Sequence, residues 1–361
     1  MKDLFDSTNI SRIRMENRFI RSATWENLAT EKGGLTPELE SVYYTLAKGG
    51  VGMIITGYAR IMESEQPNPG MMGMYDDALV DEYLPFTERI HGIGRPIVMQ
   101  LAYGGSKTTF NVGSRTIWGP STVTHPSTGV IPKRMTTGDI KELIVAFVQA
   151  GGRAKDAGFD GIQLHGAHGY LLSQFLSPYF NRRRDGYGGC INERSRIFRE
   201  LLDNVRSACG PKYPVMIKIN CSDFSERGAT IADFMDVCTL LDSRGIDLIE
   251  VSGGLNPLSL HESHYAPYAA ELGRRIRAPV SVVGKNRSCA TMQRLLQGPG
   301  LSYFSLSRAL VNDPFLISRW ESGEHGAAGC SYCGKCFHDD GNYCGRDGCR
   351  PDIQENFKSP P

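Results

Sequence analysis

Residues 161–189 read GIQLHGAHGYLLSQFLSPYFNRRRDGYGG, in which a short apolar run, Gly161 to Leu164, leads directly into His165, His168 and Tyr170. The run follows Ala157-Gly158-Phe159-Asp160, the expected end of a helical segment, so the three proton-carrying side chains fall where a buried parallel strand stops and its loop begins. In a barrel of alternating strands and helices, that end of a strand is where catalytic groups sit. Capping or packing histidines satisfy the same spacing. A metal pair is less well served, because no carboxylate or third ligand lies close by.

Seven further apolar runs flank this one, each followed by a segment of helical character. In chain order the eight are Phe19 to Thr24, Val51 to Gly57, Pro96 to Leu101, Gly161 to His165, Pro214 to Asn220, Asp247 to Ser252, Pro279 to Gly284 and Ser302 to Ser307. Runs such as VGMIIT, PVMIKI and PVSVVG are continuously apolar, as parallel strands covered on both faces require. Eight strand-helix units predict an α/β fold, a (β/α)8 TIM barrel over residues 1–320. The doubly wound alternative needs an open sheet, and the sequence carries no GxGxxG fingerprint, P-loop or internal repeat. Residues 321–361 are Gly-rich and Cys-rich and read as a separate short extension.

A barrel places polar residues at the C-terminal ends of its strands, and the sequence does so. The first run ends in Ser22-Ala23-Thr24-Trp25, the second in Thr56-Gly57-Tyr58, the third in Gln100-Leu101-Ala102-Tyr103 and the fourth in His165 to Tyr170. Lys218 lies in the fifth, Ser252-Gly253-Gly254 ends the sixth, Gly284-Lys285-Asn286 the seventh and Ser307-Arg308 the eighth. The last two loops are where this fold commonly holds a phosphate on backbone N–H groups.

With 361 residues, 40% hydrophobic content and a formal charge of +1, the chain has a large core and no electrostatic reason to seek nucleic acid or an acidic membrane. Its N-terminus, MKDLFD, carries charges where a signal peptide needs an apolar run, and no apolar stretch reaches the ~18 residues of a membrane span. A cytoplasmic address is expected. Of ten cysteines, five are scattered through the barrel and five crowd Cys330 to Cys349, a pattern of free thiols plus a thiolate cluster.

The phrase HGAHGYLLSQFLSPYFNRRRDGYGG resembles the signature segment of the old yellow enzyme family, the NADH:flavin oxidoreductases and ene reductases, and the resemblance extends from about Asn17 to Pro314. It implies FMN as cofactor and NAD(P)H as co-substrate. It also implies a ping-pong hydride relay to the C=C bond of an α,β-unsaturated carbonyl compound, an enone or enoyl substrate. The positions matching His165 and His168 hydrogen-bond the substrate carbonyl, and the position matching Tyr170 supplies a proton. Flavin contacts fall on Ala23, Thr24, Gly57 or Tyr58, Gln100, His165, Lys218, Gly284, Lys285, Asn286, Ser307 and Arg308. Ser177-Pro178, Asn181, Arg183, Asp185 and Tyr187-Gly188-Gly189 match a structural scaffold. Trp25 stands where the family carries a flavin-tuning threonine or cysteine, Tyr103 where many relatives have histidine and Cys190 where many have serine. His261, His264 and Tyr265, in the loop Leu255 to Tyr268, read equally as pocket lining or as a solvated loop.

The same flavin barrel serves amine dehydrogenases, and this, or an electron-transfer flavoprotein, is the alternative activity. In the extension, Cys330, Cys333 and Cys336 are spaced C-x2-C-x2-C, with Cys349 the better-spaced fourth ligand and Cys344 the other choice. The extension resembles the cluster loop of 2,4-dienoyl-CoA reductase and trimethylamine dehydrogenase, which implies a 4Fe-4S centre. Free thiols or zinc, with His325 and His338 as further ligands, remain the other readings. Because those relatives continue into nucleotide-binding domains, a cluster here calls for an electron-transfer partner chain or a structural role. A homo-oligomer is the other protein partner considered.

Overall fold

A computed structural model describes residues 1–254, 261–324 and 326–344. Eight parallel strands close into a barrel: β1 (Phe19–Arg21), β2 (Met53–Arg60), β3 (Ile97–Ala102), β4 (Gly161–Gly166), β5 (Val215–Asn220), β6 (Leu248–Ser252), β7 (Val280–Val283) and β8 (Tyr303–Leu306). Neighbours in the chain are neighbours in the sheet, and β8 pairs with β1 to close the ring. All eight apolar runs are strands, and the (β/α)8 expectation holds.

The outer layer is α1 (Pro37–Lys48), α2 (Ala78–Gly92), α3 (Thr137–Asp156), α4 (Arg196–Cys209), α5 (Ile231–Ser243), α6 (Ala266–Gly273), α7 (Cys289–Gln297) and α8 (Leu316–Glu321). Their starts are written locally. Thr136 and Thr230 each accept from the N–H three residues on, while Asp139 and Asp233 return the bond to the cap backbone. These reciprocal bonds satisfy amide groups that the first turn otherwise leaves unpaired. No helix among the described residues is long and apolar enough to cross a membrane.

The barrel interior is divided along its axis. The lower part is a small apolar cluster of Ile20, Met53, Ile55, Val98, Met216, Leu248 and Tyr303, all buried. An antiparallel hairpin, Thr8–Ile10 paired with Ile13–Met15, adds Ile10, Ile13 and Met15 and plugs that end. Above it the inward side chains turn polar. Lys218 is in register with His165 of β4 on one side and Glu250 of β6 on the other, and Gln100 of β3 is in register with Gln163. Because strand side chains alternate with period 2, an apolar layer beneath and a polar layer above follow from one pattern on each strand.

Candidate active site

The polar layer is a connected network. Gln100 Nε2 donates to Gln163 Oε1 at 2.6 Å, Gln163 Nε2 to Glu250 Oε2 at 2.9 Å, and Ser22 Oγ to Glu250 Oε1 at 2.6 Å. Lys218 Nζ donates to Ser22 Oγ at 2.7 Å and stands 3.6 Å from Glu250. All five side chains are buried. Burial lowers the Lys218 pKa while the Glu250 carboxylate raises it, so the carboxylate is what keeps the ammonium tenable there. Lys218 matches its expected place at the barrel mouth. Gln163 and Glu250 were not singled out from the sequence, although a Gln inside GIQLH and a Glu inside LIEVS are polar interruptions of buried strands and carry that signal.

Strand β4 runs one residue past His165, so His165 projects into the barrel from the strand itself. The chain then turns sharply, with His168 at φ 60° and Gly169 at φ 79°, and this left-handed turn brings together residues that a helix would separate. The His165 ring lies 5.2 Å from His168, and 4.8 Å from Tyr170 at an interplanar angle of 82°. Two contacts with neighbouring strands fix His168: its N–H donates to Asn220 Oδ1 at 3.0 Å, and its Nε2 lies 2.7 Å from Ser252 Oγ. Among the described residues His165 Nδ1 is buried without a partner. Burial, followed by the neighbouring imidazole and then the Lys218 ammonium, holds the His165 pKa well below 6.5. His168 is lowered by its protein surroundings and by Lys218, so both imidazoles are neutral near pH 7. Burial raises Tyr170 to about 12, leaving it a protonated phenol. Tyr58, from β2, lies parallel to His165 at 6.4 Å and edge-on to Tyr170 at 5.5 Å.

Beside this group opens a cleft of about 510 Å³, within the range of a cofactor site. Ala23, His168, Lys218, Gly284, Lys285, Asn286, Ser307 and Arg308 all line it. His264 and Tyr265 line it too, which settles the loop as pocket wall at those two positions; Leu255 to Leu260 lie outside the described residues. At Gly284, φ 150°, a Cβ would come within 2.8 Å of the Tyr265 ring, so glycine is what lets the chain pass. The Asn286 amide is already committed, donating to the Val282 and Ser305 carbonyls at 2.8 and 2.9 Å. It shapes the loop, and the half-buried Lys285 and Arg308 bring cations to the cleft from the last two loops, in addition to Lys218.

Two expected cofactor contacts, Thr24 and Gly57, and the flavin-tuning position Trp25 have structural partners. Thr24 Oγ1 is 2.8 Å from Ser307 Oγ, tying the first loop to the last. Gly57 N–H is taken by Tyr43 Oη at 2.7 Å, and a Cβ there would meet the Thr24 carbonyl at 2.7 Å. Trp25 does not line the cleft. Its Nε1 donates to the Pro69 carbonyl at 2.9 Å and its ring stacks on Phe337 at 6.3 Å, so the indole anchors the extension. The scaffold residues also hold as read: Asn181 Nδ2 donates to the Phe175 and Tyr187 carbonyls, both at 2.7 Å, and Arg183 pairs with Asp185 at 2.7 Å.

The extension folds back over the mouth. Asn342 bonds the Glu26 carbonyl through its N–H, at 2.9 Å, and the Trp25 carbonyl through its side chain. Tyr332 Oη donates to the Asn286 carbonyl at 2.7 Å, and its ring faces the Arg308 guanidinium at 4.9 Å. Cys330, Cys333, Cys336 and Cys344 line one small cavity with Arg308. Among the described residues no three His, Cys, Asp or Glu side chains form a group that could hold a metal ion. Cys349 and His325 lie outside the described residues, and His338 stacks on Tyr343 at 4.0 Å.

A closed parallel barrel with a polar interior layer and a cleft at the C-terminal ends of its strands is the architecture of the TIM-barrel enzymes, a fold that commonly holds phosphate on the loops after its last two strands. The sequence profile of the NADH:flavin oxidoreductase / NADH oxidase family matches residues 3–326, and the chain belongs to that family. It is 30% identical over 318 residues to an NADPH dehydrogenase of Bacillus licheniformis, covering 87% of this chain and 92% of the relative. To an NADH oxidase of Thermoanaerobacter brockii it is 31% identical over 323 residues, 86% of this chain but 50% of the relative, so it spans about half the length of that protein. The fold is also that of morphinone reductase in complex with tetrahydroNAD, with a TM-score of 0.77, 23% identity and coverage of 90% and 91%. Histamine dehydrogenase from Rhizobium sp. 4-9 superposes with a TM-score of 0.79 at 25% identity, over 89% of this chain and 48% of that one.

Proposed function

We propose that this protein is an FMN-dependent oxidoreductase that takes electrons from NADH or NADPH and reduces the C=C bond of α,β-unsaturated carbonyl compounds, the two substrates using one site in turn. The observation that carries this reading is the convergence of neutral His165 and His168 with the phenol of Tyr170 beside a cleft ending in the Lys285 and Arg308 loops. The residues fit FMN: the cleft has cationic loops for a phosphate and Lys218 along its wall, and behind the cleft-lining His168 stands the His165 imidazole, whose Nδ1 has no partner among the described residues. Bound FMN supplies the hydride that reaches the substrate β-carbon. The chain does the rest. His165 and His168, neutral and therefore not repelled by Lys218, present N–H donors to a carbonyl oxygen as negative charge grows on it. Tyr170 gives its proton to the α-carbon.

The decisive experiment follows the flavin absorbance anaerobically. NADPH or NADH should bleach it, and 2-cyclohexenone should restore it; bleaching by an amine and not by NAD(P)H would replace this reading with amine oxidation. The edge-to-face Tyr58 and Tyr170 rings are the observation that favours that second reading, since aromatic faces attract a cationic substrate. For the extension we propose a 4Fe-4S centre on Cys330, Cys333 and Cys336 with Cys349 or Cys344, a reading that rests on the C-x2-C-x2-C spacing and requires the thiols lining the shared cavity to draw closer together than they stand here. About four iron and four sulfide per chain would be found in anaerobically purified protein.

A further inference from the structure

We propose that Asn68 is a positioning residue for Tyr170, bridging it to Tyr58 to leave the Tyr170 O–H free to give its proton and to hold the phenolate left when that proton departs. The inference rests on the proton-donor role proposed above. It begins from one side chain with two partners: Asn68 Nδ2 donates to Tyr58 Oη at 2.6 Å and to Tyr170 Oη at 2.9 Å. A carboxamide nitrogen carries two hydrogens and cannot accept. Both phenol oxygens must therefore accept from Asn68, and each must send its own hydrogen elsewhere. The Tyr58 and Tyr170 rings meet edge-on at 5.5 Å, so the two hydroxyls sit on either side of one amide nitrogen. Tyr170 Oη thus accepts a hydrogen from Asn68 and keeps its own to give, beside His165 and the cleft-lining His168.

The placement of Asn68 is itself built. It sits between two prolines whose carbonyls are both held by distant side chains, Pro67 by Thr108 Oγ1 at 2.8 Å and Pro69 by Trp25 Nε1 at 2.9 Å. Arg115 Nη2 donates to the Gln66 carbonyl at 3.1 Å. An ordinary surface loop needs no such fixation, whereas a group that must meet two phenols within hydrogen-bond range does. In the proton-transfer step the Tyr170 O–H bond breaks and the enolate carbon-carbon π pair forms the new Cα–H bond. The carbonyl is restored, and the electron pair left on Tyr170 Oη is held by the Asn68 N–H until water returns a proton.

The test uses the flavin-loaded protein, with Asn68→Ala, the isosteric Asn68→Asp and Tyr170→Phe, in the separate half-reactions. Asn68→Ala should slow reoxidation by 2-cyclohexenone about 10- to 100-fold, the scale set by misplacing a reacting group, with reduction by NADPH within about twofold of wild type. Asn68→Asp, which offers only acceptors and so captures the Tyr170 hydrogen, should be slower still. Both variants should show a larger solvent deuterium isotope effect on reoxidation, which a merely structural role would not produce. If Tyr170→Phe is slow but the Asn68 variants reoxidise at the wild-type rate and isotope effect, the inference fails. If Tyr170→Phe reoxidises as fast as wild type, the proton-donor reading fails first.

Discussion

Tyr170, His165 and His168 divide the proposed chemistry between one protonated phenol and two neutral imidazoles, and burial is the first cause of all three states. Tyr170→Phe removes only the proton donor, so it should slow reoxidation by an enone about 100- to 10,000-fold and spare reduction by NADPH. His165→Ala removes one oxyanion donor and should cost about 100- to 1000-fold in the same half-reaction, with weaker charge-transfer absorbance on adding a phenol. Glu65 lends itself to a pH test. It is fully buried, its Oε1 accepting from Gly104 N–H at 3.0 Å and lying 3.4 Å from Arg115, its Oε2 without a partner among the described residues. Burial outweighs Arg115 and pushes its pKa up to about 7. A raised folded-state pKa means that the native protein holds a proton the unfolded chain releases. The associated stability is complete below about pH 4.5 and is lost as pH rises through 7. Relative to Glu65→Gln, wild type should therefore lose about 1.4 kcal/mol for each pH unit in that window, read as the difference in Tm between the two proteins.

The eight strands were legible because they are short runs of strand length, seven of them with glycine or proline close by, and because parallel strands buried on both faces leave no alternation to confuse with a helix. His165, Lys218, Ser307 and Arg308 were legible as polar residues at strand ends. What strand spacing could not reveal is lateral register. That Lys218 faces Glu250, and Gln100 faces Gln163, depends on the stagger between strands dozens of residues apart. The hairpin that plugs the barrel was missed for a related reason: its two three-residue strands, TNI and IRM, are too short for a period to show. Its contribution can be isolated. Met15 is completely buried in the lower cluster, away from the cleft, so Met15→Ala should cost about 2–5 kcal/mol in denaturant unfolding while leaving the rate of flavin reduction unchanged.

Across the whole molecule, the barrel mouth and the Cys-rich extension share two residues, since Arg308 and Tyr332 line both the large cleft and the thiol cavity. The sequence divided the chain near residue 320 and gave no sign of this junction, because Tyr332 lies between Cys330 and Cys333 and reads there as a spacer. In the structure it reaches back to the seventh and eighth loops, its hydroxyl on the Asn286 carbonyl and its ring on Arg308. A cation held over an aromatic ring is stabilised by about 0.5–2 kcal/mol, and the hydroxyl adds about 0.5–1.5 kcal/mol. If Arg308 contacts the cofactor phosphate, Tyr332→Ala should weaken FMN binding by roughly tenfold, and Tyr332→Phe, which keeps the ring, by several-fold at most. Quenching of FMN fluorescence on titration with apoprotein measures both. Because Cys330 and Cys333 flank Tyr332, treatment that alkylates the thiols or strips a bound metal should shift FMN affinity in the same direction as Tyr332→Ala. The treatment should have no further effect in the Tyr332→Ala protein. An undiminished response in that variant would mean that the extension acts on the cofactor by another contact, with Trp25 and Phe337 next to examine.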